Sequence, residues 1–220
     1  MTPSPFWYVD RSAGEVTLLL MSAVVVLGVL RSALPTRSPF IVEGLHRNVA
    51  LITAVFGGLH VLSAILDSYA GLGPVDALIP FVSAYRGTWL GLGVISAYLV
   101  GAAILLSWPA RRFPRPVWLW LHRTAYAAWV LALLHALATG SDASSRLFLF
   151  LNIVAVAGVL LAFLGLRVFE GWRATPPLWG ALAALAVAVV VAIAVWALTG
   201  PLQPGWARAA GTPPDLLHSP

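Results

Sequence analysis

Four histidines lie in apolar stretches of the chain as two pairs, His46/His60 and His122/His135, separated by 14 and 13 residues. A helix rises ~1.5 Å per residue, so each separation spans ~20 Å, about two-thirds of a bilayer's hydrocarbon core. Each of two helices would then offer one imidazole near each membrane face. Side by side, they would make two bis-histidine sites stacked across the bilayer, with His46 opposite His122 and His60 opposite His135. Neutral imidazole is a good axial ligand for haem iron, and two of them give a six-coordinate centre suited to electron transfer. A single histidine in a membrane helix is as readily a bonded structural residue. Four at matched depths are harder to explain that way, because each intramembrane polar group is costly.

The elements that must carry these side chains are apolar runs. The 220 residues are 60% hydrophobic and 10% charged, with a mean hydropathy of +0.90, a composition of polytopic membrane proteins. Runs at about 14–31, 45–66, 88–107, 117–139, 146–166 and 178–199 are each long enough to span. Pro35, Gly71–Pro74, Pro109, Pro114, Pro116, Gly140–Ser141 and Pro176–Pro177 punctuate them. The expected fold is an all-α integral membrane bundle of six transmembrane helices over residues 1–200. A Pro-rich, irregular extracytoplasmic tail is expected over 201–220. Residues 68–87 carry Leu72, Val75, Leu78, Ile79 and Val82 at helical spacings, which predicts a short interfacial helix. Asp10, Arg11 and Glu15 precede the first run in place of a basic leader segment, so it reads as a retained span.

All 13 cations are arginine, and there is no cysteine. Thiolate metal sites, disulfides and covalently attached c-type haem are excluded. Arg31, Arg37 and Arg47 flank one loop, Arg111, Arg112, Arg115 and Arg123 a second, Arg167 and Arg173 a third. Asp10, Glu15, Asp67, Asp76, Asp142 and Asp215 fall on the alternate segments. The net charge of +5 therefore expresses membrane topology, with no nucleic-acid partner: the Arg-rich loops are cytoplasmic and both termini extracytoplasmic.

Fourteen residues at 100° per residue return to within ~40° of one helix face. Ala50, Thr53, Gly57 and Ala64 lie there with His46 and His60, small as a flat macrocycle requires, although small residues also serve ordinary membrane helix packing. Thirteen residues leave His122 and His135 ~140° apart, which calls for a π-bulge or for sites on different flanks. Ala125, Ala128, Ala132 and Ala136 fill the sector between them. Each ligand's Nδ1–H is expected to bond the carbonyl four residues earlier: Val42, Phe56, Trp118 and Leu131. Arg47 and Arg123 suit haem propionates at one end, or simply obey the positive-inside rule. Arg86 is the candidate at the other end, with Asp67 or Asp76 as a competing partner. Trp129, midway in depth, stands between the sites or packs the bundle. Asp142 is an outer-loop acid, and His218 in the tail has no assigned role.

Residues 45–151 resemble the ferric reductase-like transmembrane domain of the NADPH oxidases, the ferric reductases and the stand-alone MsrQ haem subunits. The shared pattern is His46-Arg47 with His60, Trp120-Leu121-His122-Arg123 with His135, then Gly140-Ser141-Asp142. The resemblance implies a plasma-membrane cytochrome with two b-type haems, passing electrons from a cytoplasmic donor to an extracytoplasmic acceptor. Oxidases and ferric reductases continue into a flavin and nicotinamide module, which is not expected here. The donor would be a separate flavoprotein, reduced flavin or a quinol; the acceptor a ferric chelate, oxygen or a partner reductase. A second reading is an MsrQ-like subunit that feeds a periplasmic reductase. A third, from another class, is a haem-free transporter or sensor using histidine for protons or metal ions. Acids deep in the spans would favour that third reading, and none is expected.

Overall fold

The computed structural model describes residues 4–33, 39–107, 114–140, 143–169 and 177–217. Arg37, Arg111, Arg112, Asp142, Arg173 and His218, to which the sequence assigned places, lie outside them. Within them the chain is helical. The helices are α1 Pro5–Ala33, α2 Pro39–Leu66, α3 Pro74–Leu78, α4 Gly87–Ser107, α5 Arg115–Thr139, α6 Arg146–Phe169, α7 Pro177–Thr199 and α8 Trp206–Ala209. Five of them (α1, α2, α4, α5 and α6) are long and apolar enough to cross a membrane; the described apolar part of α7, Ala183–Thr199, is shorter. Side chains such as Val55, Leu105, Leu147 and Leu161 are well exposed on the outside of the bundle. In an aqueous protein such a surface would aggregate; in lipid it is the expected exterior. The molecule is a multi-pass membrane protein.

Helix α1 is the central element. It packs against α2, α5 and α6, and α4 forms a second close pair with α5. The core gathers Leu18, Met21 and Val25 of α1, Ala128, Trp129, Leu133 and Leu137 of α5, Val159 of α6 and Ala197 of α7. No packing of comparable extent joins α2 to α5, so these two helices face each other with their backbones apart. Small residues permit the close pairs. A Cβ added to Gly57 would meet Thr17 Cγ2 of α1 at 3.6 Å, and Thr53 and Ser63 are buried with their hydroxyls on Val49 and Leu59 carbonyls of their own helix.

Helix α1 is longer than its apolar window. It starts at Pro5, so Asp10 and Glu15, expected to precede the first span, lie within it. Glu15 accepts hydrogen bonds from Asn152 Nδ2 of α6 at 3.2 and 3.3 Å. An acid among the spans is therefore present, paired with a neutral amide.

Both terminal segments gather at one end of the bundle. Ser4 Oγ donates to Asp67 at 2.6 Å. The expected interfacial helix is α3, beside exposed Val75, Leu78, Ile79 and Val82. The described stretch 201–217 is not the irregular tail expected. It forms α8 and a 3-10 turn at Pro214–Leu216 and folds back on the bundle. Trp206 Nε1 donates to the Ala138 carbonyl at 3.0 Å, and its ring lies 5.5 Å from Trp89 and 5.9 Å from Trp196.

Arg86 closes this end. Its backbone takes a left-handed φ of 44°, a conformation that a non-glycine residue holds only where its surroundings enforce it. Its N–H donates to the Gly211 carbonyl at 3.1 Å. Its guanidinium donates to Thr212 Oγ1 and to the Ala138 carbonyl, each at 2.8 Å. Neither Asp67 nor Asp76 is its partner. Arg86→Ala is expected to destabilise the protein by about 2–3 kcal/mol, the scale of the lost charge-assisted hydrogen bonds to Thr212 Oγ1 and the Ala138 carbonyl. Thermal unfolding in detergent measures it, and limited proteolysis should then cut within 201–217 sooner than in the unmodified protein.

Candidate functional site

The four histidines meet as the spacing predicted. His46 of α2 faces His122 of α5 with ring centroids 5.9 Å apart, and His60 faces His135 at 6.1 Å. The interplanar angles are 63° and 72°, so neither pair is stacked. Helix α5 is α-helical throughout, without a π-turn. Its thirteen-residue offset is therefore met by rings leaving the helix from different flanks.

The second hydrogen bond of each imidazole is not the one expected. None goes to a carbonyl four residues earlier in the same helix. His46 Nδ1 lies 3.1 Å from the Val24 carbonyl of α1, and His60 Nδ1 2.9 Å from the Asp10 carbonyl of α1. His135 Nδ1 lies 3.0 Å from the Trp89 carbonyl of α4. His122 Nδ1 faces Ser107 Oγ of α4 at 3.4 Å, and the Trp118 ring, expected to matter through its carbonyl, stacks on His122 at 4.9 Å and 14°. The imidazoles project to the neighbouring helices, where Gly14, Gly28 and Gly93 leave such carbonyls uncovered.

A carbonyl can only accept. Nδ1 of His46, His60 and His135 therefore carries a proton. Each ring is fixed in orientation by a neighbouring helix and turns Nε2 away from that anchor. This is how histidines that bind metal are held. Asp10 adds a carboxylate: Oδ1 lies 2.8 Å from His60 Nδ1. It makes no hydrogen bond there, since the single Nδ1–H goes to the Asp10 carbonyl, and it acts on the ring as a nearby charge.

Glycines make the anchors reachable. A Cβ on Gly14 would lie 3.0 Å from His60 Nδ1, one on Gly28 3.3 Å from His46 Cε1, and one on Gly93 2.6 Å from His135 Nδ1. The sequence reading missed these three positions, and a signal was available. Gly14 and Gly28 are 14 residues apart, the separation of the histidines they face. Gly57, expected beside a macrocycle, instead faces α1 in the helix packing described above.

The remaining candidates divide. Arg47 and Arg123 are exposed beside His46 and His122. The buried Trp118 Nε1 has no hydrogen-bond partner, an orphaned donor near the same pair. Arg86 is buried and tied to the C-terminal segment. Trp129 belongs to the core: it is 5% exposed, and its Nε1 donates to Ser22 Oγ of α1 at 2.8 Å. Among the described residues no group of three or more His, Cys, Asp or Glu could hold a metal ion. Each pair thus brings two imidazoles together from facing helices.

The sequence matches the ferric reductase like transmembrane component over residues 13–133. The chain belongs to that family. The matched stretch begins in α1, earlier than the resemblance from residue 45 suggested, and so takes in Gly14, Gly28 and Gly93 with His46, His60 and His122. Among curated proteins it is 29% identical over 175 residues to the protein-methionine-sulfoxide reductase heme-binding subunit MsrQ of Ralstonia nicotianae, covering 77% of this chain and 74% of that one. No solved structure matches it significantly.

If Trp129 packs the core and touches no cofactor, Trp129→Phe should cost about 1 kcal/mol, the scale of one net hydrogen bond. The variant's visible spectrum should match that of the unmodified protein, which absorption spectroscopy checks alongside the melting curve.

Proposed function

We propose that the chain is a transmembrane dihaem b-type cytochrome. Its role is that of an MsrQ-like subunit carrying electrons from a donor on the cytoplasmic side to a separate acceptor outside. The observation that carries this reading is the spacing of the imidazoles. A metal–imidazole bond of ~2.0 Å, with roughly 1.1 Å more to each ring centre, would put two imidazoles sharing one metal about 6.2 Å apart. The observed 5.9 and 6.1 Å fit an iron held between each pair. The Nδ1 anchors, the orphaned Trp118 donor and the separated α2 and α5 backbones suit the same group.

Haem iron bound between such ligands supplies one-electron chemistry. The chain's own residues do the rest. His46 and His122 hold the inner site, His60 and His135 the outer. The backing helices α1 and α4 fix the tautomers. Arg47 and Arg123 offer guanidinium forks to the inner propionates, with Trp118 Nε1 as a further donor. The apolar bundle excludes water from the path. Orientation rests on arginine: by the positive-inside rule the His46/His122 end is cytoplasmic and both termini are outside. The relative's name points to a reductase partner as acceptor. The sequence has no Gly-x-Gly-x-x-Gly fingerprint, so a flavoprotein, reduced flavin or a quinol is the expected donor.

A pyridine haemochrome assay on the purified, haem-supplemented protein should return two b-type haems per chain; a folded protein without haem overturns the reading. In liposomes the 220-residue chain alone should not oxidise NADPH. Reduced flavin supplied on the Arg-rich face should reduce both sites, and His60→Ala should stop transfer to an acceptor on the far side while the inner site still reduces. Gly93→Ala places a methyl 2.6 Å from His135 Nδ1 and should halve haem content or worse. Gly57→Ala should leave it unchanged.

A further inference from the structure

Three of the four histidines are anchored by one device. The accepting carbonyl belongs to Asp10, Val24 or Trp89, and the residue four positions on is Gly14, Gly28 or Gly93. In an α-helix residue i+4 sits directly over the carbonyl of residue i. That carbonyl already accepts the i+4 N–H but has a second lone pair, which glycine leaves uncovered. The device repeats along α1 at an interval of 14 residues.

Along α4 the same interval leads from Trp89 to Ala103 and from Gly93 to Ser107. Here a serine occupies the glycine position. Ser107 Oγ lies 2.6 Å from the Ala103 carbonyl and 3.4 Å from His122 Nδ1. A hydroxyl has one hydrogen, and the carbonyl, which only accepts, must receive it. The serine's lone pairs are left to take the Nδ1–H of His122. We propose that Ser107 is the positioning residue of His122, standing between the imidazole and the carbonyl that would otherwise anchor it. By doing so it makes His122 a weaker electron donor than the other three ligands.

This assignment rests on the dihaem reading. A short Nδ1–H···O=C bond pushes electron density into the ring and raises ligand basicity, which favours ferric iron. A longer bond to a hydroxyl that is itself donating does so less. The inner site therefore has one strongly and one weakly polarised ligand, and the outer site has two strongly polarised ones.

The test is a potentiometric titration of the full-length holoprotein, read by absorption and low-temperature EPR, for the unmodified chain and for Ser107→Gly, Ser107→Ala and Ser107→Thr. Ser107→Gly uncovers the Ala103 carbonyl and should lower the inner midpoint potential. Ser107→Ala removes the hydroxyl and covers the carbonyl with a methyl, and should raise it and shift that site's g values. Ser107→Thr keeps the hydroxyl and should restore both. The outer site should not move in any of them. If the glycine variant does not fold, the alanine shift and the threonine rescue decide. Unchanged inner midpoint and g values in the variants, or equal shifts at both sites, overturn the assignment alone. An unmodified protein with no haem at His46/His122 overturns it together with the dihaem reading.

Discussion

The hydrogen bond from an imidazole Nδ1–H to a carbonyl of a neighbouring helix is the interaction on which this structure depends. It performs three tasks at once. It satisfies a polar group that would be costly in a bilayer, it sets the tautomer so that Nε2 is basic, and it ties the helix bearing the histidines to a backing helix. The bundle can be read as two such ties: α1 backs α2, and α4 backs α5. The functional faces of α2 and α5 then look at each other without packing closely, held at a separation set from behind.

That arrangement constrains the backing helices as strictly as the ligand helices. A carbonyl inside a helix is reachable sideways only where the residue one turn on has no side chain in the way. Glycine is otherwise costly in a helix interior, yet Gly14, Gly28 and Gly93 stand at those positions. Their use is close approach to an imidazole, not backbone flexibility. The core of Leu18, Met21, Val25, Trp129 and Leu133 fixes α1 against α5, so that the two ties share one frame.

The sequence made part of this plain. Hydropathy located the spans, and the 14- and 13-residue separations located the histidines that face one another, because periodicity along a helix and depth in a bilayer are one-dimensional quantities. The anchors of Nδ1 were not legible in that way. They depend on which helices become neighbours, and local spacing along α2 and α5 pointed to the wrong carbonyls. Gly57 was misread for the same reason: a small residue on a ligand helix fits a macrocycle or a neighbouring helix equally well until the neighbour is known. Arg86 was read as a propionate contact or a partner of Asp67 or Asp76 because the segment that captures it arrives 125 residues later, at Gly211, with Thr212 beside it. Asp10 was placed before the first helix because the apolar run is shorter than the helix itself.

The central claim is that the four histidines act as two cross-helix pairs. Redox titration of haem-loaded single variants tests it most directly. His46→Ala and His122→Ala should each abolish the same haem signal and spare the other, and His60→Ala and His135→Ala should both abolish the second. If His46→Ala and His122→Ala removed different haems, or if one replacement removed neither, the pairing across α2 and α5 would be contradicted.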